Sequence, residues 1–312
     1  MTTQSKTVVI DSGGKNDRAW FSNSLVIEPK VLDGVALQDD LLVSAVWKPP
    51  FTGGLFALSS GPAPTLRIID RISTTGVWRD HDTLLRNIYH NDFMILYLYG
   101  ADGTACVPNA GCKQVHDVRF QFGQFYVVST GTNEVVQLDA DGKVTYRWKF
   151  PGENASWHLN CLDLWNGRYV VSCFGRKGKP SDYQGSWAGH GVVFDLETEE
   201  VLWSGLSKPH TPRQDATGRQ YICDSDTERL LIRNPDGNIS ELKFPGAFTR
   251  GLAFGKEHIY LGLSAIRHRG VQEISADSIP NARIAVIEQE TFRISGYVDL
   301  PSAEVYEIVI SS

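Results

Sequence analysis

HDVRF at residues 116–120 and FYVVS at 125–129 form a pair of short runs that returns along the chain. The pair reappears as NCLDL at 160–164 with RYVVS at 168–172, as PRQD at 212–215 with QYIC at 220–223, and as RGLAF at 250–254 with IYLG at 259–262. In each copy, a strand that begins with polar residues turns and is followed by a strand of Tyr with small or β-branched residues. A third strand is expected after each pair, at 134–138, 192–196, 229–233 and 283–288.

The same register extends to both ends of the chain. Two weaker copies begin near Asp33 and Thr75, and a lone first strand starts at Tyr306. Antiparallel units of this size cannot bury both faces alone, and radial stacking covers them. The pattern therefore predicts an all-β chain in which residues 1–312 form a single seven-bladed β-propeller, with six blades as the alternative. We expect the segments 7–11, 18–22 and 24–28 to join the C-terminal strand in the last blade and so remove an exposed sheet edge.

Composition excludes several classes of protein. Lys and Arg number 30 against 36 Asp and Glu, a net charge of −6, and no basic cluster suggests nucleic acid as a partner. No apolar run approaches the length of a membrane span, and residues 8–10 are too short for the core of a signal peptide. We expect a cytoplasmic protein. Its five cysteines are an odd number without a CxxC motif, which favours buried thiols over a disulfide framework.

Propeller geometry predicts where a site lies. The first strand of each blade lines the central channel, so residues at the starts of these strands converge at one mouth. The loops between the second and third strands surround the same mouth. Two of these loops, 174–190 and 264–281, are long and polar, and long loops of this kind are usually functional or disordered. We therefore expect a covered pocket at this mouth.

Three histidines from three blades are predicted at the mouth: His116, His158 and His210. Neutral imidazoles from three elements suit a divalent metal. One of them also suits acid/base catalysis, since imidazole titrates near neutral pH. Hydrogen bonding to neighbours and water is the structural alternative, and the sequence leaves all three open. Tyr306 is a further candidate for acid/base or hydrogen-bonding chemistry, beside the alternative of a buried structural tyrosine.

Arginines near the mouth predict a small anionic ligand. Arg213 and Arg250 lie at strand starts, Arg267 lies in the second long loop, and a guanidinium grips a carboxylate or phosphate with two hydrogen bonds. For the two strand arginines the alternative is an ion pair within the protein, with Glu307 among the candidate partners. Substrate contacts are also predicted for Asn160, from the start of a first strand, and for Trp47 and Trp187, which would stack on a ring or sugar.

Several motifs carry a resemblance to a known family. They are HDV at 116–118, HLNCL at 158–162, GLSKPHTPR at 205–213, RGLAF at 250–254, LGLS at 261–264 and VYEI at 305–308. The sequence here resembles a bacterial β-propeller family of unknown function. That family occurs near biosynthetic enzymes, which implies tailoring chemistry on a small molecule.

Two hypotheses about function follow. In the first, the protein is an enzyme that acts on a small anionic or glycosylated metabolite at the mouth. Acid/base or metal-assisted elimination, cyclisation or isomerisation is favoured over redox chemistry, since no cofactor motif is present. In the second, the propeller is a non-catalytic module or scaffold that binds a ligand at the same place.

Overall fold

Six strands form the wall of a central channel, and each contacts its two neighbours in a closed ring. The computed structural model describes residues 8–10, 25–27, 31–32, 35–46, 53–100, 103–109, 111–179, 188–266 and 280–311. Within these residues, the strands build six antiparallel sheets that radiate from the ring. The all-β propeller predicted from the repeat is confirmed.

Each blade is numbered by its inner strand in chain order. Blade 1 contains Thr74–Asp80, Thr83–Ile88, Met94–Gly100 and Gly103–Asn109. Blade 2 contains Val115–Gln121, Gln124–Ser129, Glu134–Leu138 and Val144–Lys149. Blade 3 contains Leu159–Trp165, Arg168–Cys173, Gly191–Asp195 and Val201–Leu206.

The other three blades follow the same plan. Blade 4 contains Pro209–Gln214, Gln220–Asp224, Arg229–Arg233 and Ile239–Lys243. Blade 5 contains Ala247–Phe254, His258–Ala265, Arg283–Glu288 and Ile294–Asp299. Blade 6 contains Glu307–Ile310, Leu41–Ala45, Gly54–Leu58 and Leu66–Asp70. Short 3₁₀ turns at Thr130–Thr132 and Ser225–Thr227 follow the second strands of blades 2 and 4.

The protein has six blades, the number predicted as the alternative, and the prediction of seven blades is wrong. The repeat predicts two separate blades for the copy that begins near Asp33 and for the strand at Tyr306. They are one blade, because the C-terminal strand Glu307–Ile310 pairs antiparallel with Leu41–Ala45. Asp33 itself lies outside the described residues.

The expectation that N-terminal segments share a blade with the C-terminal strand holds for Leu25–Ile27, which lies in blade 6, but not for Val8–Ile10. Val8–Ile10, Leu25–Ile27 and Val31–Leu32 each add a fifth strand to the outer edge of blades 1, 6 and 5 respectively. Because these segments pair only at outer edges, they do not close the ring. The C-terminal strand closes it together with the three strands between residues 41 and 70. The expected segment 18–22 is outside the described part of the chain.

Apolar side chains fill the spaces between neighbouring blades. In the described residues there are six buried clusters, one at each blade-to-blade interface. Leu85 and Leu96 of blade 1, for example, pack against Val118 and Phe125 of blade 2. Such clusters, which bury apolar side chains between neighbouring blades, are the main contribution to the stability of a stacked fold.

Buried hydroxyl groups also connect adjacent blades near the mouth. Ser44 Oγ donates to the carbonyl of Thr75 at 2.6 Å, and Thr75 Oγ1 donates to the carbonyl of Val115 at 2.8 Å. Ser225 Oγ donates to the carbonyl of Thr249 at 2.6 Å. Each bond satisfies a carbonyl at the start of an inner strand that the sheet leaves without a partner.

All five cysteines are free thiols, four of them buried. Across the described ranges, no helix has the length and apolar character needed to cross a membrane.

Candidate functional site

The inner strands of five blades share an irregularity near their starts. The strand register shifts there, so that the inner strand holds an extra residue against its neighbour. The shifts fall at or beside Thr75, His116, Asn160, Thr211 and Arg250. A bulge bends its strand and redirects the side chain that it carries. Five blades thus carry a bulge at an equivalent position near the start of the inner strand.

Gly251 makes one of these bulges possible. It follows Arg250 and has a φ of +78°, a left-handed conformation that residues with a Cβ rarely adopt. A Cβ at this position would lie 3.2 Å from Val305 Cγ1. The RG pair of the sequence motif is therefore a structural unit that sets the position of Arg250.

The three predicted histidines meet at the mouth in a line of aromatic contacts. The ring centroids of His116 and His158 are 5.1 Å apart, and His158 stacks on Phe174 at 4.2 Å. Phe174 contacts His210 edge to face at 5.3 Å, and His210 meets Phe248 in the same way at 5.3 Å. Phe174 directly follows the second strand of blade 3, which confirms that strand-two ends and strand-one starts share this mouth.

Hydrogen bonds define the protonation of two of the rings. Asn160 donates through Nδ2 to the carbonyl of His158 at 3.0 Å, so its Oδ1, 3.1 Å from His116 Nδ1, accepts from that nitrogen. His210 Nδ1 lies 3.0 Å from the carbonyl of Lys208, which can only accept. In the neutral form, both rings therefore carry the proton on Nδ1 and leave Nε2 able to accept one.

Arg250 lies under the aromatic ring of Tyr306. The guanidinium carbon is 3.2 Å from the ring centroid, and the residue is only 7% exposed. Its Nε and Nη2 atoms are buried and have no hydrogen-bond partner among the described residues. An unpaired buried charge costs free energy that an acceptor would recover.

Burial and positive charge set the protonation of the mouth. Burial first, then Arg250 and Lys208, lower the pKa of His158 to about 3. Burial and Arg250 also hold the pKa of His210 well below its usual range. Burial raises the pKa of Tyr306 well above the usual value for a phenol, although Arg250 opposes the shift. At neutral pH, the two imidazoles are therefore uncharged and Tyr306 keeps its proton.

Deeper in the channel lies a layer of paired charges. Arg213 Nη2 donates to Glu307 Oε2 at 2.7 Å, and its Nη1 lies 3.4 Å from Asp163 Oδ2. Arg119 Nη2 approaches Asp163 Oδ1 at 2.7 Å. Burial opposes the charge of Arg213, but Glu307 and Asp163 outweigh it and raise its pKa. Arg213 is thus in the ion pair that the sequence left as an alternative to ligand binding.

The pKa of one carboxyl group in the same layer, that of Asp117, is raised by its surroundings. Burial, together with the charge of Glu307, raises the pKa of Asp117. Asp117 accepts hydrogen bonds from the backbone of Leu162 and of Val118, each at 2.9 Å. This residue connects blades 2 and 3 and is part of the structural layer.

At the other end of the channel lies a cavity of about 340 Å³. Its lining comes from the second halves of the inner strands and includes Arg79, Arg119, Asp163 and Arg213. A second candidate site therefore lies at the ends of the inner strands. The layer of paired charges separates it from the predicted site at the strand starts.

A family model described as Domain of unknown function (DUF4915) matches residues 86–311. The chain belongs to this family. The match covers most of the propeller, from the second strand of blade 1 to the C-terminal strand. No curated protein matches the chain.

Several solved propellers are similar to this DUF4915 protein in fold. A structure of a nidogen/laminin complex aligns with a TM-score of 0.63 at 11% identity, covering 88% of this chain and 98% of that one. A protein from Lactobacillus plantarum aligns with a TM-score of 0.53 at 13% identity, covering 88% and 100%. A putative 6-phosphogluconolactonase from Bacteroides fragilis aligns with a TM-score of 0.50 at 8% identity, covering 88% and 98%. At these identities the likeness shows the fold alone.

The histidines of this DUF4915 protein do not form a metal centre with one another. In the ranges that the structure describes, no three His, Cys, Asp or Glu side chains come together in a way that could hold a metal ion. The Nδ1 atoms of His116 and His210 are engaged with Asn160 and with Lys208 and Ser225, while the His158 ring is stacked on Phe174. The metal hypothesis gains no support from this arrangement.

Of the predicted site residues, His116, His158, His210, Asn160, Arg250 and Tyr306 come together. Trp47, Trp187 and Arg267 lie outside the described residues. Phe174, which packs on His158 and His210, is the first residue of the long loop 174–190 that was predicted around the mouth. Three mouth residues are not among the predicted ones: Phe248, which packs on His210, and Tyr89 and Glu304, which are close enough to Arg250 to interact electrostatically. Phe248 lies two residues before Arg250, so its spacing from the predicted strand start was the available signal.

Proposed function

We propose that this protein is an enzyme that acts on a small anionic metabolite at the mouth formed by the strand starts. Arg250 binds the anionic group, and a histidine moves a proton in an elimination, cyclisation or isomerisation. The observation that supports the proposal is the buried guanidinium of Arg250, whose Nε and Nη2 have no acceptor among the described residues. A ligand anion would supply that acceptor and would bring a substrate next to three imidazoles.

His116 is the best candidate for the group that moves the proton. Its hydrogen bond to Asn160 favours the tautomer with a basic Nε2. His158, whose pKa is lowered to about 3, is a weaker base in the free protein. Asn160 is fully buried and holds the ring through its side chain, so it acts as a positioning residue rather than a substrate contact.

Substrate binding would also change the other two imidazoles. The charge of Arg250 contributes to the low pKa of both His158 and His210. An anion at Arg250 would cancel part of that charge and so reduce this contribution to the low pKa values, while burial, the larger cause, would remain. The mouth would then become more basic when the substrate is in place.

Proton exchange in heavy water tests this proposal. Wild-type protein is incubated in D₂O with a panel of hydroxy acids, uronic acids and sugar lactones, and turnover or exchange at carbon is followed by ¹H NMR. The panel includes 6-phosphogluconolactone because a solved propeller of similar fold is named a putative 6-phosphogluconolactonase. For the substrate that reacts, we expect His116→Ala to lower the rate about 10²–10⁴-fold, as general acid/base catalysis implies.

His81→Ala is the matched control, since the His81 side chain is 93% exposed and lies in the turn between the first two strands of blade 1. It should leave the rate unchanged. Equal loss in both variants, or turnover that survives His116→Ala, would contradict the assignment of His116.

A non-catalytic binding propeller is the second candidate. Phe174 and Phe248 enclose His210 and His158 in ring contacts, an arrangement that also suits ligand recognition. Acids that bind through Arg250, with no exchange or turnover in the panel, would favour this candidate over the enzyme.

A further inference from the structure

The two Arg250 nitrogens that have no hydrogen-bond partner among the described residues are neighbouring donors. Nε and Nη2 lie on one edge of the planar guanidinium, where their N–H bonds are parallel. Two parallel donors at this spacing match the two oxygens of a carboxylate, the bidentate arrangement that gives arginine its selectivity. Both atoms are buried and lack a partner in the described part of the chain.

The ring of Tyr306 keeps this edge in a defined orientation. The guanidinium carbon lies 3.2 Å from its centroid, which makes the guanidinium face unavailable for an anion and leaves the edge for recognition. The site is therefore built for a planar acceptor group rather than for a diffuse negative charge.

Few positively charged groups at the mouth are available to bind an anion. His158 and His210 are neutral, Lys208 forms an ion pair with Asp226, and Arg213 is paired in the layer below. Glu304 adds negative charge close to Arg250. Arg250, by contrast, forms no ion pair with a carboxylate among the described residues, and its Nε and Nη2 have no partner there.

We infer that the ligand of Arg250 is the carboxylate of a small organic acid and not a phosphate group. This inference rests on the proposed function and names its substrate class. A phosphate ester is a dianion at pH 8, since its second pKa is about 6. One guanidinium leaves part of that charge uncompensated in a buried place, and the cost of desolvation grows with the square of the charge. A carboxylate is a monoanion that the same guanidinium neutralises.

Paired ligands test the inference directly. Dissociation constants of gluconate, gluconamide and glucose 6-phosphate, and of acetate and inorganic phosphate, are measured by NMR titration at pH 8 and constant ionic strength. We expect gluconate to bind at least tenfold more tightly than glucose 6-phosphate, and acetate at least tenfold more tightly than phosphate. Gluconamide, which has the same shape without the charge, should not bind.

Two variants separate charge from shape. Arg250→Lys keeps the positive charge but loses the parallel donors, so gluconate binding should weaken at least tenfold. Arg219→Lys is the matched control, because Arg219 also lies over an aromatic ring, that of Phe292 at 5.4 Å, but in the turn between the first two strands of blade 4. This control should bind gluconate as the wild-type protein does. If Arg250→Lys does not fold, the comparison of gluconate with gluconamide in the wild-type protein still tests the inference.

The outcomes distinguish the two proposals. Tighter binding of the phosphate compounds, lost in Arg250→Lys, would overturn the carboxylate inference and leave the anionic site of the proposed function intact. Unchanged gluconate binding in Arg250→Lys would overturn the bidentate contact. If neither class of anion binds the wild-type protein, both the inference and the proposed function fail.

Discussion

At the scale of the single residue, the channel holds two largely buried arginines: Arg213 forms an ion pair, and Arg250 forms none with the described residues. Glu307→Gln should destabilise the protein by about 3 kcal/mol, because it leaves Arg213 buried with only the longer contact to Asp163. Urea unfolding at pH 7 measures the change. Glu288→Gln, which removes the partner of the exposed Arg293, should have a far smaller effect. Equal losses in the two variants would contradict a special role for the buried pair.

The imidazole of His158 should make stability depend on pH. In the unfolded chain a histidine has a pKa near 6.5, whereas in the folded protein that of His158 is lowered to about 3. As pH falls below about 6.5, the unfolded state takes up the proton first, so this residue's contribution to stability is lost on acidification. The slope is at most about 1.4 kcal/mol per pH unit, less for a partly exposed ring.

His158→Phe removes the titrating group and keeps a ring to stack on Phe174. Its unfolding free energy, measured in urea at pH 7, 6 and 5, should fall less steeply than that of the wild-type protein. Parallel curves would show that His158 is protonated as readily in the folded as in the unfolded state.

The sequence predicted which residues meet at the mouth better than it predicted what each one contacts. His116, His158, His210 and Arg250 were found because the repeat places them at strand starts, and strand starts converge in any propeller. The contacts of the two arginines depend on where each lies relative to the bulge of its strand. Arg213 comes after the bulge of its strand and meets Glu307, while Arg250 lies within its bulge and meets Tyr306. A register shift of this kind leaves no periodic signal in the sequence.

At the scale of the strand, the C-terminal segment carries the closure of the ring. Glu307–Ile310 pairs with Leu41–Ala45 and also contacts the inner strands of blades 5 and 1. Deletion of residues 307–312 should therefore abolish the cooperative unfolding transition, since it exposes a sheet edge and breaks two interfaces at once. Deletion of residues 311–312 alone should leave the thermal transition nearly unchanged. Circular dichroism with thermal melting measures both, and a cooperative transition in the longer deletion would refute this view of closure.

The same strand explains why the sequence overcounted the blades. The repeat recorded first strands correctly, and six of the seven predicted starts are inner strands. The start near Asp33 did not have an inner strand of its own, because that strand is supplied from the far end of the chain. Local pattern cannot distinguish a complete blade from one whose inner strand lies more than 260 residues away along the chain.

At the scale of the whole molecule, the channel has two ends and the choice between them is testable. The strand-end cavity of about 340 Å³ is roomy, but two of the arginines on its wall are already paired, since Asp163 faces both Arg119 and Arg213. The strand-start mouth holds the arginine whose donors have no partner in the described ranges. The layer of ion pairs around Arg213 lies between this mouth and the cavity, and its residues Asp163 and Arg213 also line the cavity. Unmatched charge, rather than volume, is therefore the reason why we propose the ligand site at the strand starts.

Arg79→Glu reverses a charge on the wall of the strand-end cavity without touching the mouth. We expect gluconate binding to change less than twofold in this variant, because the layer around Arg213 stands between residue 79 and Arg250. Arg250→Lys in the same titration should lose at least tenfold. If Arg79→Glu instead abolishes binding and Arg250→Lys does not, the ligand occupies the strand-end cavity, and the bulges at the strand starts serve only to close the ring.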